Sequence, residues 1–156
     1  MQNTILIRIS KLSTLALIAA LLIVSCSKKD TTPPYQGRSK DYKLYNYSSG
    51  AAVEAGTFTI SELESGNSKL TINLNQGYKV PGVSLKSSIT VTDNTGVELV
   101  FSNLKDVDGG AGVGETNPVV ASGTNATVKY TDLVGKIGYT VKVLNGSNVQ
   151  AKGTIN

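Results

Sequence analysis

The chain has 156 residues, with 15 Lys and Arg, 11 Asp and Glu, and neither histidine nor tryptophan. This length accommodates one ordinary domain. The lack of histidine excludes catalytic sites that use a histidine base and metal sites that use histidine ligands. Gly, Ser, Thr, Asn and Val are abundant and charged residues are few, a composition that favours short strands with tight turns and predicts an all-β fold.

The first 25 residues have the pattern of a secretory signal peptide. Arg8 and Lys11 precede the uncharged apolar run LALIAALLIV at 15–24, and this order of basic and then apolar residues is typical of export signals. The run is shorter than the roughly 20 residues that a membrane-spanning helix needs. We therefore predict that residues 1–25 are removed on export.

The single cysteine, Cys26, ends the sequence Ile23-Val24-Ser25-Cys26, which resembles a bacterial lipobox. In a lipobox the thiol receives a diacylglyceryl group, and a signal peptidase then cleaves before the cysteine. A lone cysteine cannot form an internal disulfide, and a free thiol would be a liability in an exporting compartment. We predict that Cys26 is the lipid-attachment site, with membrane lipid as its partner, in a bacterial envelope and at the outer membrane. The alternative is an incidental cysteine after an ordinary signal peptide.

The segment 26–40, CSKKDTTPPYQGRSK, is predicted to be an acylated cysteine and a flexible tether. It contains almost nothing to bury, and Pro33-Pro34 favours an extended chain. Its basic residues can lie against anionic lipid headgroups. Removal of residues 1–25, which carry two of the basic residues and no acidic one, leaves a net charge of about +2. This balance does not indicate a nucleic-acid partner.

Residues 41–156 alternate between apolar and polar side chains in successive short segments, as half-buried strands do. Turn sequences separate several of them: ESGNS at 64–68, DNTG at 93–96 and NGSN at 145–148. Seven or eight short strands indicate an antiparallel sandwich or barrel, and we expect a β-sandwich. The predicted inward side chains are Phe58, Ile60, Leu70, Ile72, Leu74, Val83, Leu85, Ile89, Val91, Val97, Leu99, Phe101, Ala126, Val128, Tyr130, Tyr139, Val141, Val143, Val149, Ala151 and Ile155.

A set of short motifs resembles a known family. The motifs are G-T-F-T at 56–59, L-x-x-V-D-G-x-x-G at 104–112, Y-x-x-L at 130–133, Gly-Tyr at 138–139 and A-x-G-x-I at 151–155. In order and spacing they are similar to the CHRD domain, the chordin-type repeat also found in bacterial secreted proteins and lipoproteins. The resemblance implies a β-sandwich. CHRD domains typically carry histidines, which this chain lacks, so the resemblance implies no metal or acid–base role here.

An immunoglobulin-like or fibronectin-type sandwich is an alternative to the chordin-type repeat. The sequence YTDLVGKIGYTVKV at 130–143 resembles the approach to a strand in that fold. In that interpretation Tyr139 is a candidate tyrosine corner. Both interpretations predict two packed antiparallel sheets.

Candidate catalytic and metal-binding patterns are incomplete. Asp106 and Asp108 precede a glycine-rich stretch, but Gly110 and Glu115 occupy the wrong places for a calcium loop. We therefore predict a glycine-rich turn between strands, with no metal and no cofactor. A Ser/Lys pair is formally possible, but serines and lysines lie throughout the chain, as expected of solvated strand faces and turns. A histidine-free hydrolase is the rival class. We predict no catalytic residue and no enzymatic activity.

Tyrosines are concentrated in YQGRSKDYKLYNYS at 35–48. If 43–47 is a strand, Tyr45 and Tyr47 share one face and Leu44 takes the other. Exposed, the two rings form a binding platform; buried, they pack at the rim of the core, and the usual intermediate burial of tyrosine favours packing. A first strand at a sheet edge could also accept an extended peptide.

The sequence thus predicts a non-enzymatic, lipid-anchored envelope lipoprotein that presents a β-sandwich as a binding or structural module. The alternative is a surface lipoprotein that captures carbohydrate or protein. In either case, we expect the partner to contact Tyr45 and Tyr47, because tyrosine is enriched at interfaces.

Overall fold

Nine β-strands dominate residues 35–156, the part of the chain that the computed structural model describes. They are β1 (Ser39–Asn46), β2 (Val53–Glu62), β3 (Ser68–Leu74), β4 (Ser84–Thr92), β5 (Glu98–Asn103), β6 (Val107–Asp108), β7 (Val113–Thr116), β8 (Thr140–Asn145) and β9 (Asn148–Thr154). A 3-10 helix spans Gln76–Tyr78, and one short α-helix, α1, spans Tyr130–Val134. The predicted signal peptide, Cys26 and the tether up to residue 34 lie outside the described residues. In the described part of the chain, no helix has the length and apolarity to cross a membrane.

The strands form one antiparallel sheet that closes on itself. Its hydrogen-bonded order is β4-β6-β7-β3-β2-β1-β9-β8, and β8 pairs again with β4. The predicted all-β antiparallel fold is confirmed. The expected two-sheet sandwich is replaced by a closed eight-stranded barrel, with β5 as an additional strand on β4. The sheet closes because β4 has neighbours on both of its edges. One edge pairs with β8, and the other pairs with β6 and then with β5, so β8 and β4 join the two ends of the sheet.

Alternate side chains of the closed sheet point inward and form the core. Tyr42 of β1 stacks on Phe58 of β2, with ring centroids 4.7 Å apart and planes 9° apart. Tyr130 and Leu133 of α1 are also buried in this core. The largest fully buried side chains are Leu44, Phe58, Ile60, Leu70, Ile72, Leu85, Val107, Ile89, Val119, Leu133, Val141 and Ile155. Most of the inward positions predicted for β2, β3 and β8 are therefore confirmed.

The glycine-rich stretch forms the β6–β7 hairpin, which fills the place between β4 and β3. Gly109 lies so close to another backbone segment that a Cβ there would stand 2.3 Å from the carbonyl oxygen of Val80. Gly112 has φ +73°, a conformation that side chains disfavour. The glycines therefore allow the hairpin to complete the ring.

Several predicted inward positions differ in the structure. Val83, Ala126 and Val149 are exposed. Val97 and Leu99 are about half exposed, because β5 pairs with β4 outside the ring. Val128 and Tyr130 are buried as expected but do not lie in a strand: Tyr130 begins α1. The Ser68 Oγ donates to the carbonyl oxygen of Val128 at 2.9 Å, which holds this segment against β3.

Candidate functional site

The two predicted site tyrosines lie on the outer face of β1 or directly after it. Tyr42 and Leu44 point into the core, Tyr45 is half-buried and Tyr47 is 46% exposed. The rings of Tyr45 and Tyr47 have centroids 6.5 Å apart and planes tilted by 57°. The prediction that they share one face opposite Leu44 is confirmed, and neither ring belongs to the core.

β1 does not offer the free edge that its place in the sequence suggests. It pairs with β2 along its length and with β9 through Tyr45 and Lys152. A register shift between Leu44 and Tyr45 leaves Ala55 of β2 without a partner in β1. Such a bulge increases the local twist of the strand, and here it lies where the tyrosines emerge. Strand addition by a peptide at Tyr45 is therefore not the expected mode of binding.

A groove of about 730 Å³ lies on this outer face, a volume typical of ligand sites. Three tyrosines (Tyr42, Tyr45 and Tyr47), five threonines and five charged side chains are among the residues that line it. We call it the tyrosine groove. Its lining comes from β1, β2, β4, β5, β8 and β9 and from the residues that follow β1 and β9.

Cross-strand register organises the groove into two adjacent rows. In the lysine–tyrosine row, Lys142 of β8 pairs with Lys152 of β9, and Lys152 pairs with Tyr45. In the threonine row, Thr140 pairs with Thr90 on one side and with Thr154 on the other. Neighbouring strands are about 4.8 Å apart and residues two positions apart about 7 Å. Thr90 is buried, and its Oγ1 donates to the carbonyl oxygen of Thr140 at 3.4 Å. The groove thus sets cations and an aromatic ring beside the hydroxyl groups of Thr140 and Thr154.

Two of the groove lysines are neutralised by carboxylates. Lys43 Nζ lies 2.5 Å from Glu54 Oε2, and this hydrogen bond raises the pKa of Lys43. Lys142 forms an ion pair with Glu98. The positive charge of these two lysines is therefore already compensated within the protein.

Lys152 has no carboxylate partner within residues 35–156. Its Nζ lies 4.7 Å from the ring centroid of Tyr47, a cation–π contact that positions the ammonium but leaves its charge uncompensated. Asp41 lies four residues before Tyr45, about 13 Å along the strand, and accepts a hydrogen bond from Thr59 Oγ1 at 2.6 Å. An ammonium without a carboxylate partner therefore lies beside the tyrosines, and a hydrogen-bonded carboxylate lies farther along β1.

The carboxylates that superficially resemble a calcium loop have protein partners. Asp106 accepts hydrogen bonds from Lys86 Nζ and Ser84 Oγ, both at 2.8 Å, and these bonds lower the pKa of Asp106. Asp108 Oδ1 accepts the backbone N–H of Ala111 at 2.8 Å and supports the hairpin turn. Within residues 35–156, no group of three or more His, Cys, Asp or Glu side chains could hold a metal ion.

A catalytic-type pattern, S-x-x-K, occurs at Ser102 and Lys105. Ser102 is fully buried, and its Oγ donates to the carbonyl oxygen of Val120 at 2.7 Å. Lys105 is exposed. The structure therefore gives this serine a role in packing and in the hydrogen bonding of the sheet.

Lys152, Thr140 and Thr154 are among the groove residues that sequence reasoning does not single out. Their outward position is visible in the alternation of β8 and β9, but their proximity to Tyr45 depends on strand pairing.

Comparison of the chain with protein-family models, curated proteins and solved structures finds no match.

Proposed function

We propose that this chain is a lipid-anchored lipoprotein of a bacterial envelope, at the outer membrane, whose domain binds a glycan or a protein without catalysis. The observation that carries this proposal is the tyrosine groove, which combines aromatic rings, hydroxyl groups and charges on one concave surface. Aromatic rings contribute a large apolar contact with a polar tip, and a few polar groups give a ligand site its orientation. The resemblance to the chordin-type repeat stays a prediction.

The proposed anchor agrees with the position of the groove along β1. The described residues begin at Tyr35, and β1 begins at Ser39, so the first two residues of this strand are the last two of the predicted tether. Tyr47 follows the opposite end of this strand, roughly 25 Å away for eight residues. An anchor at Cys26 would therefore join the domain at the strand end remote from Tyr47.

The absence of catalysis is proposed from the chemistry of the groove. Its two carboxylates have protein partners: Asp41 accepts a hydrogen bond from Thr59, and Glu98 forms an ion pair with Lys142. The sequence contains no histidine to act as a general base. These groups can orient a ligand and bind it by hydrogen bonds, which is the role we assign to them.

The anchor is tested by Cys26→Ser in the full chain. We expect the variant to leave the membrane fraction and to lose labelling by radioactive palmitate, because serine offers no thiol for the lipid transfer. Ser25→Ala, which keeps a small residue before the cysteine, is the matched control and should stay labelled. A Cys26→Ser protein that is still labelled and still in the membrane would refute the anchor.

The binding role is tested by screening the detergent-solubilised full chain against glycan and peptide arrays. The Tyr45→Ala, Tyr47→Ala double variant should lose the ligand, yet melt within a few degrees of wild type because both rings lie outside the core. Tyr35→Ala changes a similarly exposed tyrosine outside the groove and should keep the ligand. A double variant with full affinity would exclude the groove as the site.

A further inference from the structure

We infer that the tyrosine groove prefers oligosaccharides that carry a single carboxylate, and that Lys152 binds that carboxylate while Tyr45 and Tyr47 contact the sugar rings. This inference rests on the proposed binding function and specifies its ligand class. It depends on three features of the groove: the paired edges of β1, the row of threonines, and the uncompensated charge of Lys152.

The backbone of the groove favours a saccharide over an extended peptide. A peptide that adds to a sheet needs an unpaired strand edge, and β1 has neighbours on both edges at Tyr45. The groove instead offers side-chain hydroxyls, with Thr140 and Thr154 in register on adjacent strands. Hydroxyl groups both donate and accept hydrogen bonds, as sugar hydroxyls do. The groove therefore matches a ligand whose polar groups are mostly hydroxyls.

The aromatic end of the groove gives the sugar ring an apolar surface. Tyr47 is nearly half exposed, and its ring centroid lies 6.5 Å from that of Tyr45 at an angle of 57°. The two rings therefore form a corner and not a flat plate. The Lys152 ammonium lies over the Tyr47 ring, 4.7 Å from its centroid. A sugar in this corner would bring its substituents close to a fixed positive charge.

The charges of the groove favour a ligand that carries one acidic group. Lys43 and Lys142 are paired with carboxylates, whereas Lys152 keeps three N–H donors for a ligand without a competing carboxylate in the described residues. Asp41, about 13 Å away along β1, would repel a second acidic sugar. The groove is therefore complementary to an oligosaccharide with its acid at the tyrosine end and neutral sugars beyond it.

The test uses tetrasaccharides that contain one glucuronic or galacturonic acid, each compared with its carboxyl-reduced neutral form. Binding to the detergent-solubilised full chain is measured by calorimetry at low and high salt. We expect the acidic form of at least one pair to bind about tenfold more tightly, the ratio expected of a charge-assisted hydrogen bond of about 1.4 kcal/mol. The preference should shrink as salt screens the charge.

Lys152→Gln should abolish the preference for the acidic form, because the amide carries no positive charge to attract the carboxylate. Lys105→Gln changes an exposed lysine outside the groove and should keep the preference. If the acidic and neutral forms bind equally well, and Tyr47→Leu weakens the binding of both, the acid preference is overturned and the proposed function stands. Binding of an acidic peptide such as hexaglutamate, but of no saccharide, would also overturn the inference and retain a binding domain. If no probe binds, or if Tyr47→Leu binds as wild type does, the inference and the groove as the binding site are both overturned.

Discussion

Tyr45 and Lys152 are the register partners through which β1 joins β9. The pair that closes this part of the sheet thus also places a tyrosine and a free ammonium side by side in the groove. Since both side chains point outward, their replacement should change ligand binding more than stability. Replacement of the next residue, Gly153, should instead change stability, because its backbone packs directly against β1.

Gly153→Ala is expected to destabilise the domain by roughly 1–3 kcal/mol, the usual cost of overpacking. A Cβ at Gly153 would stand 2.1 Å from the carbonyl oxygen of Lys43, a backbone atom that cannot rotate away. Urea unfolding followed by circular dichroism measures the change. Gly77→Ala is the control, because a Cβ there meets nothing within 4 Å. Equal stability of the two variants would contradict the close approach of β9 and β1.

The ring of Tyr42, and not its hydroxyl, is expected to stabilise the core. The ring is 5% exposed and stacks on Phe58, whereas the buried hydroxyl has no hydrogen-bond partner within residues 35–156. Tyr42→Ala should cost about 3–5 kcal/mol, and Tyr42→Phe should change stability by less than about 1 kcal/mol. Thermal melts of both variants test this, and a large loss in Tyr42→Phe would show that the hydroxyl matters.

Glu62 should make stability depend on pH in the acid range. Hydrogen bonds from Arg38, whose Nε and Nη2 each lie 2.8 Å from a carboxylate oxygen, lower the pKa of Glu62 from 4.5 to about 2. A depressed pKa in the folded state stabilises the protein above the unfolded value. This contribution is therefore complete above pH 4.5 and is lost as pH falls toward 2.

Glu62→Gln is the variant that tests this dependence. Its melting temperature should lie below that of wild type at neutral pH, and the difference should vanish near pH 2. Glu64→Gln changes an exposed neighbouring carboxylate and serves as the control. A difference between wild type and Glu62→Gln that persists unchanged at pH 2 would show that the carboxylate charge is not responsible.

Leu99→Lys is expected to change the free energy of unfolding by no more than about 0.5 kcal/mol, because the side chain is 49% exposed. Ile89→Lys, at a fully buried position on the neighbouring strand β4, should prevent folding, since it would bury an unpaired charge. Expression followed by thermal melts compares the two. A Leu99→Lys protein that fails to fold would place β5 in the core, as the alternation in the sequence suggests.

Millimolar calcium should leave the melting temperature unchanged. The carboxylate of Asp106 is occupied by Lys86 and Ser84, and that of Asp108 by the backbone of its own turn. A ligand at 100 times its dissociation constant would add about 2.7 kcal/mol and raise the melting point by several degrees. A calcium-dependent rise that disappears in the Asp106→Ala, Asp108→Ala double variant would reveal a site.

Much of the secondary structure follows from local pattern. Phe58 and Ile60 in β2, and Leu70 and Ile72 in β3, alternate with polar residues and are buried as predicted. The same rule is wrong for Leu99, because alternation shows that a strand has an apolar face but not whether another layer covers that face. Tyr130 illustrates a second limit: its burial is predicted, but it begins a short helix instead of lying in a strand, and its backbone N–H donates to the carbonyl oxygen of the distant Gly66.

The sequence by itself determined the all-β class, most strands of the core and the placement of Tyr45 and Tyr47 on one face, because these follow from the two-residue period of a strand. Only the tertiary structure decided that the sheet closes and that Lys152 and the threonines join the tyrosines in a groove. Closure depends on which strand edges meet, and the β4–β8 pairing and the insertion of the β6–β7 hairpin connect segments far apart in the chain. Local periodicity contains no information about such distant pairings, since many arrangements of strands bury the same apolar faces.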